Sequence, residues 1–239
     1  MFAGYSDAMS NDRPTKRRAA DRALGVVTVL SGVTSGWSDP GRRRLALGGV
    51  VGPVGFVGGW LAAGTATSSG YSPVHDAISR LAAVGSDTRV LMSAGFVAFG
   101  IGLPVYASAL RRCVPGPAWI TATMTGLATL GVAVTPLDRS SAFDAVHAAC
   151  AAFGYLTLAA TPILAARPLM QLGHTGLSRL GLGVGAVASV SLALSATSLP
   201  TGLFQRLGLT AGDVWIVATA VAMAGGRLPM QPTQPPTGS

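Results

Sequence analysis

Residues 45–64 read LALGGVVGPVGFVGGWLAAG, twenty consecutive positions without a charged side chain. A helix rises about 1.5 Å per residue, so a run of this length reaches about 30 Å, the thickness of a bilayer's hydrocarbon layer. The stretch is expected to cross a membrane as a helix, which bonds every backbone group within itself. Five further runs follow, at residues 90–110, 117–135, 143–165, 178–199 and 209–226, each bounded by Arg, Asp, Pro or Gly. The sequence therefore reads as an all-α, polytopic membrane helix bundle of six transmembrane helices.

Composition agrees with that reading. Of 239 residues 49% are hydrophobic and 11% charged, against about 25% charged in a soluble domain. So few charges cannot solvate a water-facing surface, which excludes a soluble enzyme and a coiled coil. The two cysteines, Cys113 and Cys150, are too few for a disulfide scaffold. All nine acids are aspartates and 16 of the 17 cations are arginines. That bias fits a GC-rich coding sequence, and so a bacterial source.

Residues 1–44 are expected to form a basic, mostly disordered cytoplasmic tail. Within it the apolar stretch 23–30 is too short to span and lacks a cleavage site, so it reads as an interfacial helix or follows an early start codon. The membrane domain is expected over 45–226. Residues 227–239, rich in Pro, Gln, Thr and Gly, should be a second disordered cytoplasmic tail.

Alternate sides of six spans collect 13 and four cations, and four and five acids, so the two faces carry +9 and −1. Cations are retained in the cytoplasm, which places both termini there and the membrane at the bacterial cell surface. The pI near 10.7 is then orientation bias, and no nucleic-acid partner is implied; membrane lipids are, with Arg42, Arg43 and Arg44 facing anionic headgroups. Small residues four apart, Gly48 with Gly52, Gly55 with Gly59 and Gly181 with Gly185, are expected to let helices approach closely, within the chain or through association with itself or another membrane protein. Trp60, Trp119 and Trp215 are expected near span ends.

The first outer loop carries Ser72-Pro73-Val74-His75-Asp76-Ala77-Ile78-Ser79-Arg80-Leu81. Ser72 as N-cap, Pro73 at the first helical position and Asp76 in the first turn predict a short interfacial helix. Its apolar face would be Val74, Ile78 and Leu81, with Asp76 paired to Arg80 four residues on. The second outer loop leads into Asp144 and His147, spaced three apart on one helical face. An ionisable ring one turn inside the hydrocarbon boundary needs a polar partner. Three loops thus bring His75, Asp76, Ser79, Arg80, Asp138, Asp144, His147, Arg206 and Asp213 to one membrane face as a candidate binding cluster.

Four landmarks in this cluster carry a likeness: Ser79-x-Leu81, Pro136-x-Asp138, His147, and Gly202-Leu-x-x-Arg206. Over about residues 45–226 the chain resembles the uncharacterised six-span bacterial membrane proteins grouped as domain-of-unknown-function family 998. Thr135 stands where that pattern has an aromatic, and Gln205 where an acid is common. The resemblance implies a six-span fold and no particular activity.

No nucleophile elbow, HExxH or CxxC occurs, and Gly181-Leu-Gly183-Val-Gly185 lies inside a span with no preceding strand, so it reads as packing and not as a nucleotide loop. The sequence names no cofactor and no catalytic residue. The leading expectation is an accessory, scaffold or lipid-interacting protein whose aspartates and arginines lock three loops together. One alternative is a membrane-embedded hydrolase or transferase acting on a lipid headgroup, with His75 and His147 joined by Asp138 or Asp144 around a metal. Another is a small-molecule or lipid transporter that uses the same groups as a pathway.

Overall fold

The computed structural model describes residues 40–68 and 70–228. Among them every regular element is a helix: α1 (Pro40–Ala66), a 3₁₀ helix η1 (Ile78–Ala82), α2 (Arg89–Cys113), α3 (Ala118–Val134), α4 (Ser141–Gln171), α5 (Thr175–Leu194) and α6 (Thr201–Ala224). Five of the six α-helices are long and apolar enough to cross a membrane. The sixth, α3, has 17 residues and reaches about 25 Å. The expected tails lie outside the described residues except at 40–44 and 227–228. Residues 40–44 belong to α1, which takes in the arginines before Leu45.

Each α-helix packs against the next in sequence, and α6 returns to pack against α1, closing a ring. Large apolar side chains cover its outside as well as its core, with Val54 at 62%, Leu156 at 67% and Val190 at 59% exposed. An apolar outer surface of this kind suits lipid as the solvent.

The closest seam joins α1 to α2. A Cβ added at Gly48 would lie 2.5 Å from the Gly102 carbonyl oxygen, one at Gly52 3.4 Å from the Gly102 Cα, and one at Gly59 3.2 Å from the Gly95 Cα. Glycine on both helices is what lets backbone meet backbone, and in lipid that contact area drives association. The expected stripe on α1 is therefore real, and its counterpart is Gly95 and Gly102. Hydroxyls bridge three further helix pairs: Tyr106 to Thr219 (α2–α6) at 2.7 Å, Thr125 to Thr157 at 2.9 Å and Thr161 to Thr121 at 2.8 Å (α3–α4), and Ser178 to the Ala166 carbonyl (α4–α5) at 2.7 Å.

Two expectations are corrected here. The last helix begins at Thr201, directly after Pro200, and not near Leu209. Arg206 is thus a helical residue, tolerated one turn inside because its guanidinium finds loop carbonyls. Trp215, expected at a span end, is fully buried: eight residues of α6 that were read as loop place it deep in the ring.

Candidate functional site

The loops 67–88, 135–140 and 195–200 lie at one end of the ring, where the first meets the second and the start of α6. Asp87 ties the first loop shut by accepting hydrogen bonds from the Ser68 N–H at 2.9 Å, the Ser68 hydroxyl at 2.8 Å and the Thr67 hydroxyl at 3.0 Å. The Ser68 backbone donor, with the two hydroxyls, holds its carboxyl below the usual carboxylate range.

The segment 72–81 is not the continuous amphipathic helix its pattern predicts. In such a helix Val74 would accept from the N–H of Ile78. Instead the Val74 carbonyl accepts from the Leu203 N–H at 2.9 Å, and the Ile78 N–H donates to Oε1 of Gln205 at 2.7 Å. Tertiary bonds to α6 have taken both halves of the helical bond. What remains is a turn over 72–76, in which the Ser72 hydroxyl accepts from the His75 N–H at 3.3 Å, followed by η1. Ile78 and Leu81 sink into the bundle at 1% exposure each, while Val74 is exposed.

Charge pairing also differs from expectation. Asp76 turns back to accept from the Ser72 N–H at 2.7 Å. Arg80 reaches across to the second loop, Nη1 lying 2.9 Å from Oδ2 of Asp138. Asp138 sits in the left-handed region at φ 63°, a conformation Asp accepts more readily than most residues. Its N–H donates to Oδ1 of Asp144 at 3.0 Å. Asp144 lies in the first turn of α4, where Ser140 caps the helix by accepting from the Phe143 N–H, and a carboxylate there also suits the helix dipole. The loops are joined again by the Val84 N–H donating to the Leu137 carbonyl at 2.9 Å.

Arg206 is the centre of the third junction. Its Nη1 donates to the carbonyls of Pro73 at 2.7 Å, Gly202 at 2.9 Å and Asp76 at 3.2 Å, and Nη2 donates to the Tyr71 hydroxyl. The guanidinium lies 5.1 Å from the centre of the Trp60 ring and 5.6 Å from that of Tyr71. Burial pushes the Tyr71 phenol above its ordinary value, against the opposing pull of Arg206. Gly202 must be a glycine, since a Cβ would strike the Asp76 carbonyl and lie 2.5 Å from that of Pro73.

His147 occupies the inner side of this end, 5% exposed. Its Nδ1 is 2.6 Å from the Thr135 carbonyl. A carbonyl only accepts, so Nδ1 carries the hydrogen in this bond.

Geometry and pattern now coincide with a family. A model described as "Protein of unknown function (DUF998)" matches residues 50–222. The chain belongs to the DUF998 family. No curated protein and no solved structure matches it.

The four landmarks of the sequence have positions at this end. Gly202 and Arg206 hold the first loop to α6, Asp138 holds Arg80, and Ser79 and His147 line a cavity between η1 and helices α1, α2, α3, α4 and α6. The cavity has a volume of about 50 Å³, room for about four water molecules. Phe56, Phe96 and Phe99 form its apolar wall, facing Ser79, His147 and Gln205. Nε2 of His147 has no hydrogen-bond partner among the described residues, so the cavity presents one unpartnered ring nitrogen beside an aromatic wall.

The nine expected residues therefore separate. Arg80, Asp138 and Asp144 form the rim, Asp76 and Arg206 the loop staple, and Ser79 and His147 the cavity. His75 is exposed and takes part through its backbone alone. Asp213 is not at this end: it lies mid-way along α6, buried at 4% exposure. Among the described residues no three His, Cys, Asp or Glu side chains converge as metal ligands, so the proposed set around His75 and His147 is not assembled. Sequence reasoning missed Tyr71, Tyr155 and Gln205, whose Nε2 donates to the Tyr155 hydroxyl. Starting α6 at Pro200 would have exposed Gln205, because Gly202, Gln205, Arg206 and Leu209 then share one helical face.

Proposed function

We propose that this DUF998 protein is a six-span protein of a bacterial plasma membrane, with both termini in the cytoplasm, that serves as an accessory or scaffold component in contact with lipid and not as a catalyst. One observation carries the reading: four charged side chains of the capped end spend hydrogen bonds on one another and on the backbone of the loops. Arg80 is held by Asp138, Asp144 by the Asp138 N–H, Asp76 by the Ser72 N–H and Arg206 by three carbonyls. Groups bound in this way rigidify the loops and have little capacity left for a substrate.

His147 provides the test. As a structural partner of the Thr135 carbonyl, its removal strands a buried acceptor, which costs about 1–3 kcal/mol. His147→Ala should therefore lower the melting temperature in nanodiscs, while zinc and chelator leave the wild-type melting temperature unchanged. A zinc-dependent rise that chelator reverses, together with unaltered stability of His147→Ala, would instead establish a metal site and overturn the scaffold reading.

The orientation rests on the cation bias, with α3 counted as the sixth crossing. With Cys113 and Cys150 replaced by alanine, a single cysteine at Ser86 or Ser141 should react with an impermeant maleimide added outside cells. One at Gly116 or Gly173 should react only after lysis. The reverse pattern would invert the assignment.

A further inference from the structure

The cavity that Ser79 and His147 line holds hydrogen-bonding groups the protein does not use. Gln205, in its wall, accepts the Ile78 N–H at Oε1 and donates from Nε2 to the Tyr155 hydroxyl. Thr125 and Thr129 donate to carbonyls of their own helix. Among the groups left open are the Ser79 hydroxyl, Nε2 of His147 and the hydrogen of the Tyr155 hydroxyl, which have no partner among the described residues.

Burial makes this costly. Ser79 is 8% and His147 5% exposed, and a buried polar atom loses free energy until something bonds to it. Both atoms can be reached from the cavity, however. The side-chain atoms that are sealed as well as unpartnered, among the described residues, belong to Arg206, Asp213 and Trp215.

The wall sets the character of an occupant. No Asp, Arg or Lys lines the cavity, so a charged head meets no carboxylate, ammonium or guanidinium. The Phe56 ring centre lies 5.8 Å from that of Phe96 and 5.2 Å from that of Phe99, a continuous surface for an apolar body. The volume of about 50 Å³ is too small for a phospholipid headgroup and holds about four non-hydrogen atoms.

We propose that this cavity binds a small neutral alcohol, its hydroxyl bonded to Ser79 and to Nε2 of His147 and its aliphatic body against the three phenylalanines. A hydroxyl both donates and accepts. It therefore serves Nε2 whether that nitrogen carries a hydrogen or a lone pair, and it meets Ser79 in either direction. A carbonyl compound accepts only, and an alkane leaves every open group unmet. The bonded charges of the rim and the loop staple take no part, so the site is independent of the scaffold reading.

The test is thermal unfolding of the full chain in phosphatidylcholine nanodiscs with millimolar 2-propanol, and with acetone as the control that keeps the same carbon and oxygen skeleton without the O–H. 2-Propanol should raise the wild-type melting temperature by a few degrees relative to acetone. The difference should vanish in Ala151→Leu, which fills the cavity from α4. It should also vanish in Ser79→Ala, which deletes a hydroxyl that bonds nothing among the described residues, and which decides the matter if Ala151→Leu does not fold. Equal effects of the two solutes on wild type, or a difference that survives either substitution, would overturn the site.

Discussion

Gly102→Leu should yield a chain that inserts into membranes and does not assemble. At this position even the first side-chain atom would lie 2.7 Å from the Gly48 carbonyl oxygen and 2.8 Å from the Gly52 Cα. Both are backbone atoms of α1, so no rotamer change relieves the overlap. The helices must separate along the seam that holds them most closely, and the loss should exceed about 4 kcal/mol, the range reserved for severe overpacking. Size-exclusion chromatography in mild detergent should show aggregate in place of a single peak. Gly183→Leu is the matched control, because a Cβ there meets nothing within 4 Å, and it should elute as wild type does. Equal behaviour of the two variants would mean that the glycine seam does not govern assembly.

Arg206→Ala should be the most damaging single change at the capped end, at about 3–4 kcal/mol. The guanidinium supplies hydrogen bonds to three carbonyls and to Tyr71 and covers the Trp60 ring, and charge-assisted bonds contribute about 1.5–3 kcal/mol each when not additive. Its loss should free residues 71–76 from α6, seen as accelerated amide exchange there and a lower melting temperature. Arg206→Lys should recover only part of the stability, because a point-like ammonium cannot meet both the carbonyls bound by Nη1 and the Tyr71 hydroxyl bound by Nη2 of the planar fork. By contrast Asp138→Asn should change stability by less than about 1 kcal/mol, since Arg80 and Asp138 are each about half exposed. A larger loss for Asp138→Asn than for Arg206→Ala would reverse the order of importance argued here.

Much of the capped end is legible in the sequence. His147 had to have a partner because of its depth, and it does; Gly202 and Arg206 stood out as a pair, and they act as one. The partner of Arg80 was not visible. Asp76 lies four residues away and Asp138 lies 58 residues away, and a local helical rule sees only the first. Gln205 stands out in the sequence only as a departure from the family pattern, since its role lies in meeting the Ile78 N–H, 127 residues earlier in the chain.

Hydropathy run length and glycine spacing are properties of a few tens of neighbouring residues, and the bilayer turns them directly into structure: an uncharged run of twenty residues must be helical where no water can satisfy its backbone. The sequence by itself therefore determined an all-helical membrane chain, its family, the small-residue stripe of α1 and the gathering of the polar landmarks. Tertiary structure alone decided that α6 closes on α1, that residues 72–81 exchange a helical hydrogen bond for two bonds to α6, and that Asp213 lies buried mid-way along α6. Those outcomes depend on which groups distant in sequence compete for the same donors and acceptors, as Leu203 and Gln205 do for Val74 and Ile78.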